Sequence, residues 1–138
     1  MSAEIAEKIL VVEDEPDSRI FLSNLLKSRG LSPITAHNKA EGLQKALSER
    51  PSVIILNVMM SGKKGIQFYQ RLKQDEVLRN IPVILLSTLD EETFMKCHNI
   101  FGHRQWDAHE RMDKFMEKPV ETDDLLTAVR QLSGRRHS

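Results

Sequence analysis

One cysteine, Cys97, stands in 138 residues. Its isolation excludes a disulfide within the chain and every Cys-rich zinc module, and it suits a reducing cytosol; a disulfide between two chains stays open. Net charge is missing too. Twenty lysines and arginines balance 20 aspartates and glutamates, so no basic field argues for nucleic acid and no acidic excess for a disordered tail. The longest apolar runs, "KILVV" and "VIILNVMM", fall far short of a membrane span, and the opening "MSAEIAEK" lacks the apolar core of a secretory leader. A soluble, cytoplasmic protein is therefore expected. With 40% hydrophobic and 29% charged residues, the length suits one globular domain and leaves no room for a second.

What is present alternates between two patterns. Lys8 to Val12 is a short β-branched run stopped by "EDEP", where Pro16 suits the first helical position and the acids around it favour the positive end of a helix dipole. Phe21, Leu22, Leu25 and Leu26 then form a helical face, and Gly30 sits where a left-handed residue ends it. A weaker strand is expected near Ser32 to Ala36. Asn38 can cap a second helix with Ala40, Leu43, Ala46 and Leu47 on one face, closed by Pro51. "VIIL" is continuous rather than alternating, as a central parallel strand buried on both faces requires.

The same alternation continues after the turn "SGKKG". Positions 66, 69 and 72 mark a third helix, and "IPVILL" a fourth strand. "DEETFMKCHNIF" reads as a helix capped by Asp90, with Phe94, Cys97 and Phe101 along one side. "GHRQWDAHERMD" has no clean period. A fifth strand in "KFMEKPV" precedes a last helix that aligns Leu125, Val129 and Leu132. Five β-α units predict a parallel sheet covered on both faces, with ligands bound beyond the carboxyl ends of the strands. Glu13 and Asp14 end the first strand, Asn57 the third, Ser87 the fourth and Lys118 the fifth, so four strand ends converge on one crevice.

From "ILVVEDEP" through "LNVMMSGKKG" and "IPVILLS" to "MEKPV", the chain resembles the receiver domain of two-component response regulators. The resemblance covers almost the whole chain, with five separated motifs in order. It implies a flavodoxin-like sheet of order 2-1-3-4-5 spanning residues 8–133, between an N-terminal extension (1–7) and a loose tail (134–138). Glu13 and Asp14 look like the acidic pair that holds Mg²⁺, with the Met59 carbonyl as a further ligand. Asn57 occupies the position of the phosphorylated aspartate. Ser87 matches the hydroxyl that turns toward the phosphoryl group, Lys118 the lysine that pairs with it, Pro119 a residue usually preceded by a cis bond, and Phe115 the aromatic switch.

These residue types suit the chemistry, with one exception. Mg²⁺ takes carboxylate, carbonyl and water oxygens, and phosphoryl transfer needs an oxygen nucleophile with a cation on the developing charge. An amide nitrogen has its lone pair delocalised and its oxygen carries no full charge, so acyl-phosphate formation at residue 57 should fail. The amide oxygen can still coordinate a metal, but the lost charge leaves Mg²⁺ held weakly or not at all. Asn57 is either natural, giving a pseudo-receiver, or an engineered replacement in an ordinary phospho-accepting receiver. Ser61 in place of a usual proline, Thr88 in place of a small residue, and the surplus "NIFGHRQWDAHE" favour natural divergence.

The expectation is a stand-alone, non-enzymatic signalling module that binds a sensor histidine kinase or phosphotransfer protein, a downstream output protein, or both. It would be a monomer or weak homodimer, touching neither nucleic acid nor membrane. The resemblance implies contact through the fourth helix, fifth strand and fifth helix. A phosphatase or phosphotransferase of this fold would need a nucleophile, and Ser87 has no histidine base placed beside it. A flavin domain would meet an acidic first turn that repels phosphate. Cys97, His98, His103 and His109 fit no zinc spacing, and "SGKKG" lacks the P-loop spacing and reads as a turn, with Lys63 and Lys64 near a partner. Trp106 is either a partner anchor or cover for its own segment.

Overall fold

Strands and helices alternate through residues 6–60, 64–98 and 113–135, the parts of the chain that the computed structural model describes. The order is β1 (Lys8–Val12), α1 (Pro16–Ser28), β2 (Ser32–Ala36), α2 (Lys39–Glu49) and β3 (Val53–Asn57). It continues with α3 (Lys64–Gln74), a 3-10 turn (Leu78–Asn80), β4 (Val83–Ser87), α4 (Glu91–His98), β5 (Lys114–Glu117) and α5 (Thr122–Arg135). All five strands run parallel in the order β2-β1-β3-β4-β5. Residues 61–63 with Ser61 and Lys63, the segment 99–112 with Trp106 and two of the histidines, and the last three residues lie outside the described parts. So do the side chains of Cys97 and His98 and the first five residues, and with them the zinc and insert readings.

Local chemistry sets the helix ends. The Glu15 carboxylate accepts from the Ser18 N–H at 2.7 Å and Pro16 opens α1. At the other end Gly30 has φ +80°, its N–H reaches the Lys27 carbonyl and the Leu31 N–H reaches Leu26, the paired bonds of a Schellman ending. Asn38 caps α2 through the Glu41 N–H, while the Glu41 carboxylate accepts from the His37 N–H. That helix ends at Arg50, left-handed at φ 47°, one residue before the expected stop at Pro51. Helix α3 starts earlier than its apolar face suggests, at Lys64.

β3 and β4 are buried throughout, and β1 from Ile9 to Val12. Leu10, Val12, Ile54 and Leu56 point to the side covered by α2, α3 and Phe94 of α4; Ile9, Val11, Val53 and Ile55 point to the side covered by α1 and α5. The unbroken apolar run of β3 is thus explained by two hydrophobic faces. Sheet polarity then brings the ends of β1, β3, β4 and β5 to one rim.

A buried cluster lies at the opposite end. Asp113, just before β5, accepts from the Val83 N–H at 2.8 Å and from Lys73 Nζ at 3.1 Å, and also from the Tyr69 hydroxyl. Lys73 donates in addition to the carbonyls of Arg79 and Ile81. β5 begins one residue too late to pair with Val83, so the Asp113 carboxylate supplies the acceptor that the strand would have offered. Burial pushes the Asp113 carboxyl above its ordinary range against the pull of Lys73 and Tyr69.

Candidate functional site

The rim is organised around Glu13, the first residue after β1 and almost fully buried. Its N–H donates to the Ala36 carbonyl at 3.0 Å, which extends the β1–β2 ladder and fixes where the side chain emerges. Arg19, one turn into α1, donates to the Glu13 carbonyl at 2.8 Å. The Glu13 carboxylate accepts from Asn57 Nδ2 at 2.7 Å and the Glu15 N–H at 3.2 Å, and its second oxygen lies 3.8 Å from Lys118 Nζ. A sealed carboxylate needs such donors, since burying an uncompensated charge is costly.

Asn57 joins this carboxylate to the turn after β3. Its Oδ1 accepts from the Met59 N–H at 2.9 Å while Nδ2 faces Glu13. The two neighbours dictate that orientation: an ionised carboxylate can only accept and a backbone N–H can only donate. Gly65 closes the turn. A Cβ there would come within 2.7 Å of the carbonyl oxygens of both Asn57 and Val58, so only glycine lets α3 pass this close.

Ser87 ends β4, fully buried. Its hydroxyl accepts from the Leu89 N–H at 2.9 Å, and its carbonyl accepts from the Lys118 N–H at 2.7 Å. Lys118 falls just beyond β5 rather than within it, and the bond to Pro119 is cis. Phe115, half-buried, sets its ring 5.4 Å from that of Phe94 at 49°, joining β5 to α4. Asp14 is half-buried next to Glu13.

The structure therefore brings Glu13, Asn57, Met59 and Lys118 into one bonded group. Ser87 joins it through the backbone, and Phe115 stands on the neighbouring α4 side. Gly65 and Arg19 were not singled out by the sequence: the glycine read as an ordinary turn residue, and nothing in the α1 pattern aims Arg19 at a carbonyl. A cleft of about 530 Å³ opens beside the group, walled by Phe21, Leu22, Leu86, Val120 and Leu125, with Glu13, Thr88 and Lys118 also on its lining. Among the described residues no three His, Cys, Asp or Glu side chains gather as a metal-holding group. A Mg²⁺ shell is built of oxygens, yet residue 57 turns an N–H toward Glu13, so this arrangement does not fit the ion.

Comparison with known proteins agrees with the fold and the family resemblance. The family model "Response regulator receiver domain" matches residues 9–130. Protein PilH of Pseudomonas aeruginosa is 29% identical over 122 residues, which cover 88% of this chain and 93% of that protein. The phosphate regulon transcriptional regulatory protein PhoB of Escherichia coli is 28% identical over 131 residues, and the chain spans only 53% of its length. Among solved structures, the signal receiver domain of a signal transduction histidine kinase from Syntrophus aciditrophicus superposes with a TM-score of 0.76 at 29% identity, covering 94% of this chain and 91% of that one. Chemotaxis response regulator CheY4 of Vibrio cholerae shares the fold, with a TM-score of 0.73 at 23% identity over 93% of this chain and 99% of that one.

Proposed function

The chain belongs to the response regulator receiver domain family, and from that premise we propose that it is a pseudo-receiver, a two-component signalling domain that acts by protein contact without carrying a phosphoryl group on residue 57. One observation carries this reading: the acceptor position holds an amide whose oxygen and nitrogen are both engaged, with Met59 and with Glu13. No carboxylate oxygen is available there for in-line attack on phosphorus. The Ser87 hydroxyl is turned to the Leu89 N–H, and no histidine is bonded to it among the described residues, so a serine nucleophile lacks its base. In this reading Lys118, Ser87 and Phe115 correspond to the phosphoryl-binding and switch residues of the family without a phosphoryl group to respond to.

Its partners are a sensor histidine kinase, a phosphotransfer protein or a downstream output protein. The Phe94–Phe115 pair ties α4 to β5, on the α4–β5–α5 side that such contact would use. Incubation with acetyl phosphate and Mg²⁺, followed by intact-protein mass measurement, tests the reading. The unaltered chain should keep its mass. A phosphoryl gain on it, mapped to any residue, would overturn the proposal. Asn57→Asp, run in parallel, reports whether the remaining pocket can still take the group.

A further inference from the structure

The asparagine at residue 57 is more than a missing nucleophile. Glu13 is almost completely buried, and its carboxylate is met by Asn57 Nδ2, by the Glu15 N–H and by the Lys118 ammonium. Asn57 Nδ2 takes one side of Oε1, the Glu15 N–H takes the other, and the Lys118 ammonium faces Oε2. For an aspartate at 57 the same geometry would set two carboxylate oxygens about as close as the present 2.7 Å bond. Such a pair must capture a proton or a cation, because like charges at that separation cannot both stay ionised.

We infer that the Asn57 amide and the Lys118 ammonium stand in for the divalent cation, so that the crevice is closed from within and the domain keeps one conformation whether or not Mg²⁺ is present. This rests on the pseudo-receiver reading and adds a property to it. The amide neutralises nothing by itself; it donates where a cation would attract, while Lys118 supplies the positive charge. Opening Oε1 of Glu13 to a metal means breaking the Asn57 bond, turning the amide over and thereby losing the Met59 bond as well, and a metal at Oε2 would have to displace the Lys118 ammonium. Asp14 is half-buried beside Glu13, and one carboxylate without an oxygen from residue 57 holds Mg²⁺ poorly.

Thermal unfolding in EDTA and in millimolar MgCl₂, on the unaltered chain and on Asn57→Asp, tests this directly. The unaltered chain should melt at one temperature in both solutions. Asn57→Asp should melt lower in EDTA, by roughly 5 to 10 °C, and regain most of the loss in MgCl₂. A saturable rise of the melting temperature of the unaltered chain with MgCl₂ would overturn the inference, as would an Asn57→Asp chain equally stable in EDTA. If that variant does not fold, backbone amide shifts of residues 13, 14 and 59 in the unaltered chain decide: constancy through a Mg²⁺ titration supports the closed crevice, and saturable movement refutes it. Phosphodonor labelling separates the two readings. A chain that binds Mg²⁺ yet gains no phosphoryl mass overturns only the closed crevice, whereas a labelled chain overturns the pseudo-receiver.

Discussion

Two glycines show how different physical demands fix a residue. Gly30 occupies φ +80° and a Cβ built on it meets nothing within 4 Å, so its requirement is conformational. Gly30→Ala should cost roughly 1 kcal/mol, the left-handed penalty of an L-residue, and Gly30→Asn should recover part of it, since asparagine tolerates that region. Gly65 has the reverse problem: the space is taken by the backbone of Asn57 and Val58. Gly65→Ala must move α3 or the turn, at about 1–3 kcal/mol, and here asparagine should be worse than alanine. Urea unfolding of the four variants separates the cases, and equal rescue by asparagine at both sites would refute the distinction. Of these, the Gly30 role was legible, because a glycine after an apolar helical face is a stop signal. The Gly65 role was not, because the atoms that exclude a Cβ belong to residues brought close only by the fold.

At the scale of elements, the succession of strands and helices and the strand ends were readable because apolar runs, proline and caps are local, while the sheet order came only with the family resemblance. "VIIL" announced a strand with two covered faces, and its end placed Asn57 at the rim. The direction of the Asn57 amide was beyond reach, since it depends on Glu13, 44 residues away in sequence. The Asp113 cluster escaped for the same reason: its partners Tyr69 and Lys73 lie 44 and 40 residues off, and Asp113 borders a stretch without periodicity. That cluster ties α3, the start of β4 and the start of β5 together. Asp113→Ala takes away the carboxylate that faces the nearly buried Lys73 and the acceptor of the Val83 N–H, and should cost about 3–5 kcal/mol. Adding Lys73→Met should return a large part of that loss, because the uncompensated charge goes with it. Chemical denaturation of the two single variants and the double variant measures the coupling. A double variant as unstable as the sum of the singles would mean that the pair does not act as a unit.

Over the whole molecule, carboxylates pull stability in two directions as pH changes. Glu15, Glu41, Asp75 and Asp90 sit at helix or turn starts, and each is held below its ordinary value chiefly by hydrogen bonds: from Ser18, from the His37 N–H, from the N–H groups of Leu78 and Val77, and from Thr93. Depressed acids release their protons more readily in the folded state, so their contribution is complete above the ordinary values of 3.8 and 4.5 and is lost as pH falls through the folded ones. Asp113 runs the other way. Its raised carboxyl favours the folded state below 3.8, and that contribution disappears as pH rises through the higher folded value. Four surface caps outnumber one buried acid, although solvent screening weakens each of them, so the chain should lose stability from about pH 5 to about pH 3. Replacing Asp90 by alanine should lower the urea midpoint near neutral pH, with a difference that shrinks as pH falls through the depressed folded value. Asp113→Asn should differ in slope: relative to it, the unaltered chain gains stability as pH falls. Parallel curves for the unaltered chain and Asp113→Asn would show that Asp113 keeps its charge through the whole range, its burial fully offset by Lys73, Tyr69 and the Val83 N–H.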